Sequence, residues 1–191
     1  MRRLLTSAVI LLGSIASPAH AQESTKVLIV YASRTGNTES AARAVRDGAA
    51  SVDGVTAVLR TAADVSDEEI AAAHAIIIGT PVHWGNVSVE AKQFIDRVGS
   101  TRPAHDGDRV AATFVTSGSH TNGNEFTRLA VLSSLLAMRF IAVGGETAEG
   151  RGSIGAQAVT GAADPGMSDE EIENARLLGA RVARIAKELG G

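Results

Sequence analysis

A group of hydroxyl and glycine residues directly follows the first strand-like segment of the chain. Residues 27–31 are largely apolar, Ser33, Thr35, Gly36 and Thr38 come next, and an alanine-rich stretch with helical spacing continues the sequence. This pattern predicts a buried strand, a tight turn and the start of a helix. Such a turn directs several backbone N–H groups and hydroxyls to one point, and the positive end of the helix dipole lies at the same point. This arrangement suits the binding of a phosphate monoester.

The turn lacks the features of two common nucleotide-binding loops. No lysine follows Gly36, which excludes a P-loop for nucleoside triphosphates, and the turn contains no G-x-G-x-x-G sequence. The alternative interpretation is an ordinary strand-to-helix turn whose hydroxyl groups only cap the helix.

Two later loops carry residues that could contact the same ligand. Residues 80–87 contain the only tryptophan of the chain, and residues 116–123 are rich in serine, threonine and glycine. An exposed Trp84 beside His83 suits the face or edge of a flat ring, whereas a tryptophan that covers the end of the sheet is the alternative. The small residues of the later loop offer backbone donors to ring carbonyls and nitrogens, although alone they would indicate only a loop.

Strands and helices alternate along the chain and place these loops. The pattern predicts five strands, at 27–31, 55–59, 75–79, 110–116 and 140–143. It predicts three helices at 38–50, 88–98 and 124–137. Two further helices are expected to begin with capping boxes at 66–69 and 168–171. Helical spacing turns inward Val89, Phe94, Ile95 and Val98, and later Ile172, Ala175, Gly179, Val182, Ala183 and Ala186. This alternation predicts a doubly wound parallel α/β sheet, in which ligands bind beyond the carboxyl ends of the strands.

The composition excludes several kinds of site. The chain has no cysteine, which excludes disulfides, thiol chemistry, iron–sulfur clusters and zinc–thiolate sites. Its net charge of −3 and its aromatic content of 3% argue against nucleic-acid binding. We therefore expect no metal site, and any redox activity would depend on a bound organic cofactor.

The first 21 residues have the pattern of a secretory signal peptide. Arg2 and Arg3 precede an apolar run at residues 4–15, and small residues at the A-x-A spacing end at Ala21. The run is too short to remain as a membrane anchor, and an uncleaved amphipathic tail is the alternative. We expect export to the periplasm by the Sec route, with the arginine pair as a weak signal for twin-arginine export. Residues 22–191 are then expected to form a single domain.

The first of these motifs resembles a known signature. Residues 29–45, Ile-Val-Tyr-Ala-Ser-Arg-Thr-Gly-Asn-Thr-Glu-Ser-Ala-Ala-Arg-Ala-Val, resemble the FMN-phosphate signature of flavodoxins position for position. The resemblance implies a flavodoxin-like three-layer α/β/α fold with a five-stranded parallel sheet in the order 2-1-3-4-5. It also implies that the FMN phosphate is bound by Ser33, Arg34, Thr35, Gly36, Asn37 and Thr38.

The second loop resembles a narrower group of proteins. Residues 79–96, which begin Gly-Thr-Pro-Val-His-Trp-Gly-Asn, are similar to the ring-binding loop of the WrbA-type NAD(P)H:quinone oxidoreductases, as are residues 150–161 and the start of the last helix. The similarity covers residues 26–189. It implies that the flavin ring is contacted by Pro81, Val82, His83, Trp84, Gly85, Asn86, Thr116, Ser117, Gly118, Ser119, His120 and Thr121.

The chain departs from the WrbA pattern at three places. Residues 137–140 replace the His-His-Gly of that family, residues 153–155 replace its Pro-Tyr-Gly, and the segment after the second strand is much shorter. These differences bear on the binding of nicotinamide and quinone and on the formation of the tetramer. They leave the FMN-phosphate motif intact.

The resemblance leads to one principal hypothesis and two alternatives. We expect an exported FMN enzyme that takes two electrons from NAD(P)H as hydride at flavin N5 and passes them to a quinone-like acceptor. The flavin carries the chemistry, so no side chain is assigned as catalytic. We also expect a homo-oligomer, either a dimer or a tetramer. The alternatives are a flavodoxin-type one-electron carrier and a flavodoxin-like scaffold without a cofactor.

Overall fold

The computed structural model describes residues 24–101, 109–146 and 153–190. The predicted signal peptide and the beginning of the segment 150–161 lie outside these residues. The strands are β1 (Thr25–Tyr31), β2 (Val55–Thr61), β3 (Ala75–His83), β4 (Asn86–Val87), β5 (Val110–Ser117), β6 (Ile141–Ala142) and β7 (Ala156–Val159). The helices are α1 (Asn37–Ala50), α2 (Asp67–Ala72), α3 (Val89–Thr101), α4 (Asn124–Ala137) and α5 (Asp169–Gly190).

The main strands form a parallel sheet in the order β2-β1-β3-β5-β6. This is the predicted 2-1-3-4-5 order, because β5 and β6 are the fourth and fifth of the predicted strands. Two short strands extend the predicted five. β4 is antiparallel to the end of β3, and β7 is parallel to the end of β5.

Alternating strand residues bury the two faces of the sheet separately. One face, with Val27, Ile29 and Ile77, packs against α1 and α5, while the other, with Ile76 and Ile78, packs against α2, α3 and α4. Strands that are apolar on both faces require helices on both sides. The predicted three-layer α/β/α class is confirmed, and it places the carboxyl ends of β1, β3 and β5 at one edge.

Helices α1 and α5 approach each other through glycine. A Cβ atom at Gly48 would lie 1.8 Å from the carbonyl oxygen of Arg176, and one at Gly179 would lie 1.9 Å from that of Val45. Both positions exclude any larger residue without a backbone shift. This contact fixes the second half of α1 closely against α5.

Three details of the sequence prediction need correction. The predicted strand at 140–143 is only the first part of an interrupted edge, since β6 pairs with the start of β5 and β7 with its end. Val89 and Ile172, which were expected to face inward, are 64% and 40% exposed. Both lie in the first turns of their helices. The other inward-facing predictions for α3 and α5 are confirmed.

Candidate functional site: three loops at the carboxyl edge

The turn between β1 and α1 presents unpaired backbone donors. Gly36 adopts φ +96, which favours glycine, and its N–H donates to Ser33 Oγ at 3.2 Å. Within the described part of the chain, the N–H groups of Thr35, Asn37 and Thr38 have no acceptor. These donors lie at or just before the positive end of a 14-residue helix, so the turn can bind an anion without a lysine.

A buried hydrogen bond ties this turn to the third loop. The hydroxyl groups of Thr38 and Thr116 lie 2.7 Å apart, and both residues are almost completely buried. Thr116 belongs to the end of β5, two strands away from β1. The bond therefore fixes the spacing between the predicted phosphate turn and one of the loops predicted to contact the ring.

The second loop is a two-residue hairpin with an unusual residue at its tip. Trp84 and Gly85 connect β3 to β4 with φ values of +52 and +78, the backbone of a type I′ turn. Asparagine and glycine are the usual residues at such positions, and a bulky aromatic residue there is rare. Trp84 is fully exposed, so the alternative that it covers the end of the sheet is wrong.

The second and third loops touch through two glycines. A Cβ atom at Gly123, which has φ +94, would lie 2.6 Å from Gly85 Cα and 2.7 Å from its carbonyl oxygen. Gly123 is also the residue that precedes α4. The hairpin with Trp84 at its tip is therefore seated against the start of α4, and the two loops form one wall.

The third loop is organised by Asn124, which the sequence analysis did not identify. Its Nδ2 donates to Ser117 Oγ at 2.9 Å, and Ser117 Oγ in turn donates to the carbonyl oxygen of Ser119 at 3.0 Å. Asn124 Oδ1 is buried and has no partner among the described residues. The sequence offered one signal for this role, because Asn124 directly follows a glycine and is the first residue of the predicted helix. Gly118 has open space around it, so the loop leaves its backbone accessible.

Six of the 18 predicted site residues line two cavities, which do not include the turn residues Thr35 to Thr38. The first, about 250 Å³, includes Ser33, Arg34, Pro81 and His83, and the second, about 340 Å³, includes His120 and Thr121. The first cavity is also lined by residues that the sequence analysis did not single out, namely Tyr31, Ala32, Glu39, Thr61, Ala62, Ala63 and Glu90. Several belong to the ends of β1 and β2, which indicates that the second strand also contributes to this edge.

An ion pair crosses the first cavity. Arg34 Nη2 lies 3.0 Å from Glu90 Oε1, at the start of α3. The pKa of Glu90 is lowered, first by its own backbone N–H and then by Arg34. The pKa of the Tyr31 hydroxyl is raised, first by burial and then by the charge of Glu39. Tyr31 thus stays a neutral hydrogen-bonding group at neutral pH.

A buried cation fastens the last sheet strand to α4. Arg128 donates to the carbonyl oxygen of Gly155 at 2.9 Å and to Gln157 Oε1 at 2.8 Å. Burial lowers its pKa, while Glu125 acts in the opposite direction. Because Gln157 lines the second cavity, Arg128 positions one of its walls.

The sequence matches the model of a known protein family. A family model described as NADPH-dependent FMN reductase matches residues 25–152, more than half of the chain. The chain belongs to this family. Its membership confirms the predicted flavodoxin-like, FMN- and NAD(P)H-linked oxidoreductase family.

Individual relatives agree with the assignment to the FMN reductase family. The chain is 33% identical to a flavodoxin of Aquifex aeolicus over 83% of this chain and 85% of that protein. It is 32% identical to an NAD(P)H dehydrogenase (quinone) of Syntrophobacter fumaroxidans over 86% and 98%. The crystal structure of a flavodoxin, WrbA-like protein from Agrobacterium tumefaciens superposes with a TM-score of 0.68, at 29% identity, over 87% of this chain and 99% of that one.

The described residues fit the cofactor that this FMN reductase family uses. In the described ranges, N–H groups on both sides of Gly36 are unpaired, and no atom of another described residue lies within 4 Å of where a Cβ of Gly36 or Gly118 would be. Open backbone at both loops suits a ligand that approaches it closely. Among residues 24–101, 109–146 and 153–190, no group of three or more acidic or histidine side chains could hold a metal, and no helix is long and apolar enough to span a membrane.

Proposed function

We propose that this chain is an FMN-dependent oxidoreductase that oxidises NAD(P)H and reduces a quinone-like acceptor by two-electron transfer. The observation that carries the proposal is the turn after β1, where the N–H groups of Thr35, Asn37 and Thr38 have no acceptor among the residues that the structure describes. A phosphate monoester satisfies these donors better than water does, because the helix dipole adds to their charge. When bound, FMN supplies the redox chemistry by taking up hydride at N5.

The chain's own residues would hold and orient this cofactor. The turn residues Thr35 to Thr38 bind the phosphate, and the Thr38–Thr116 hydrogen bond sets its distance from the third loop. The open backbone at Gly118 and the neighbouring serines donate to the ring carbonyls. Trp84, at the tip of the hairpin, limits the position of the ring from one side. These groups place the flavin for reaction without themselves exchanging protons.

The quinone-like acceptor and the NAD(P)H donor are proposed from the relatives. The FMN reductase family is described as NADPH-dependent, and one of the similar proteins is named an NAD(P)H dehydrogenase (quinone). The open carboxyl edge beside Trp84 would admit a flat acceptor to the exposed face of the ring. A one-electron carrier is the second candidate, because another relative of similar identity is named a flavodoxin.

Two measurements on the purified protein test this proposal. The chain is mixed with FMN, desalted and examined in the visible range, and we expect the flavin bands to stay with the protein. Steady-state oxidation of NADH or NADPH is then followed with a benzoquinone acceptor. Turnover supports the enzyme, retained flavin without turnover supports the carrier, and loss of flavin on desalting contradicts both.

We propose that the protein is a homo-oligomer that pairs through the outer face of α4. Phe126, Leu129 and Leu136 are each more than half exposed there, and the only charged residues of α4 are Glu125 and the buried Arg128. The outer faces of α1, α3 and α5 carry ion pairs instead. In a symmetric dimer this face of α4 would contact the same face of the second copy, so one apolar surface would cover the other.

This pairing is tested by sedimentation. The substitution Leu129→Glu would place two carboxylates in the interface, and we expect the sedimentation coefficient to fall to that of a monomer. Lys92→Glu, on the charged face of α3, serves as the control and should leave it unchanged. A monomeric wild-type protein would contradict the proposal.

We also propose that the protein is exported, with residues 1–21 removed. The proposal rests on the arginine pair, the apolar run and the small residues that end at Ala21. Cell fractionation followed by mass measurement of the mature protein tests it. A protein that begins at Gln22 in the periplasmic fraction supports export, and an intact Met1 in the cytoplasm contradicts it.

A further inference from the structure

An acidic residue from a distant part of the chain lies beside the phosphate turn. Asn37, the first residue of α1, directs its side-chain amide to two oxygens. Its Nδ2 lies 2.7 Å from Asp164 Oδ1 and 3.3 Å from Thr35 Oγ1. Asp164 is therefore within a few ångströms of the donors proposed to bind the FMN phosphate, although 127 positions separate it from Asn37.

The loop that carries Asp164 is held at both ends. The N–H of Thr160 donates to the carbonyl oxygen of Ser117 at 3.0 Å, and Met167 packs against the core between α1 and α5. Ser168 and Glu171 then form the predicted capping box. The ends of the loop are fixed, so the position of Asp164 follows from the fold.

The backbone of this loop also turns Asp164 into place. Asp164 has φ +47, and Gly161 and Gly166 on either side have φ +69 and +85. Aspartate and asparagine tolerate this conformation better than most residues. Among the described residues no lysine or arginine forms an ion pair with Asp164. Its carboxylate therefore faces the positive end of α1 without a competing cation in that part of the chain.

A carboxylate at this position has opposite effects on the protein and on its ligand. Near the start of a helix a negative charge stabilises the helix dipole. A phosphate monoester carries between one and two negative charges at neutral pH and would bind at the same helix end, a few ångströms away. Two like charges at that separation repel each other, even in water.

We propose that Asp164 sets the affinity of the site for phosphate esters by competing with the phosphate for Asn37 and for the positive end of α1. This inference rests on the proposed FMN site. Asp164 lowers the affinity for FMN below what the turn alone would provide. It has no such effect on riboflavin, which has the same ring and no phosphate.

The test compares Asp164→Asn with wild type in titrations with FMN and with riboflavin, followed by flavin fluorescence. Asparagine keeps an oxygen that can accept from Asn37 and tolerates the positive φ, so the substitution removes only the charge. We expect the Kd for FMN to fall roughly fivefold at low salt and the Kd for riboflavin to stay the same. Near 1 M salt, where the screening length is about 3 Å, the difference for FMN should shrink below about twofold.

Asp96→Asn serves as the matched control. It removes one exposed carboxylate from the remote helix α3, where Asp96 pairs with Lys92, and it should leave both affinities unchanged. The inference is overturned if Asp164→Asn does not tighten FMN, if it weakens FMN, or if it changes riboflavin equally. Binding of neither flavin by wild type and both variants would instead contradict the proposed function, and the inference with it.

Discussion

The contact between Gly123 and Gly85 can be tested by adding a single methyl group. In Gly123→Ala the new Cβ would lie 2.6 Å from Gly85 Cα, closer than non-bonded carbon atoms approach. The φ of +94 adds strain, because L-residues in this left-handed region cost roughly 1–2 kcal/mol. Overpacking that forces the backbone to move typically costs about 1–3 kcal/mol. We therefore expect the free energy of unfolding to fall by about 2–5 kcal/mol.

Urea unfolding measures this change. For a domain of this size an m-value of about 2 kcal/mol/M is typical, so the unfolding midpoint should fall by roughly 1–2.5 M. The affinity for FMN should also fall, because the hairpin and the third loop can no longer meet.

The same substitution at Gly118 is the control. Gly118 lies in the same loop, has no positive φ and has no atom within 4 Å of the Cβ position, so Gly118→Ala should change stability by no more than about 0.5 kcal/mol. If Gly123→Ala unfolds at the same urea concentration as Gly118→Ala, the two loops do not form one wall and the account of the site is wrong.

Three further predictions concern the turn and the hairpin. Trp84→Gly should stabilise the protein by up to about 1 kcal/mol, because glycine adopts a φ of +52° without strain. The same substitution should weaken FMN binding, because it removes the ring beside the flavin. Urea unfolding measures the first effect and a flavin titration the second, and an unchanged FMN affinity would show that the flavin ring lies elsewhere. The double substitution Thr35→Val and Thr38→Val should weaken FMN by about 2–4 kcal/mol, at roughly 1–2 kcal/mol for each lost hydroxyl, because it removes the Thr35 hydroxyl from the turn and breaks the buried Thr38–Thr116 hydrogen bond that positions it; an unaltered Kd would place the phosphate at another site. The pKa of Glu90 is lowered in the folded protein, first by its own backbone N–H and then by Arg34, so its ionised form contributes a small stability above the ordinary glutamate pKa that is lost as the pH falls through the lowered pKa. Glu90→Gln should therefore lower the urea midpoint less at acidic pH than at pH 7, and equal losses at both would contradict an ionic origin.

Much of the fold could be predicted because local sequence signals agree with it. α4 begins and ends at the predicted residues, Asn124 and Ala137, and the capping box at Ser66 is present with both hydrogen bonds. The apolar run at 75–79 is buried on both faces, as a central parallel strand requires. The family motif then supplied the strand order, which local patterns do not determine.

The errors arose where tertiary contacts decide the structure. β7 has only four residues, in which small buried side chains alternate with less buried ones, and nothing in its local sequence distinguishes it from a loop. It becomes a strand because it pairs with the end of β5, which β6 does not reach. Helical spacing placed Val89 and Ile172 on inward faces, but both lie in the first turn of a helix, and spacing alone does not reveal whether a neighbouring element covers that turn. Asp164 could not be predicted beside Asn37, because their contact joins two loops that are distant in sequence.

The central claim is that the backbone of the turn after β1 binds a phosphate. A crystal structure of the protein with FMN tests it most directly. The account predicts a phosphate within hydrogen-bond distance of the N–H groups of Thr35, Asn37 and Thr38, with the ring beside Trp84. A phosphate bound anywhere else on the protein, or a turn whose N–H groups contact only solvent in the presence of saturating FMN, would contradict it.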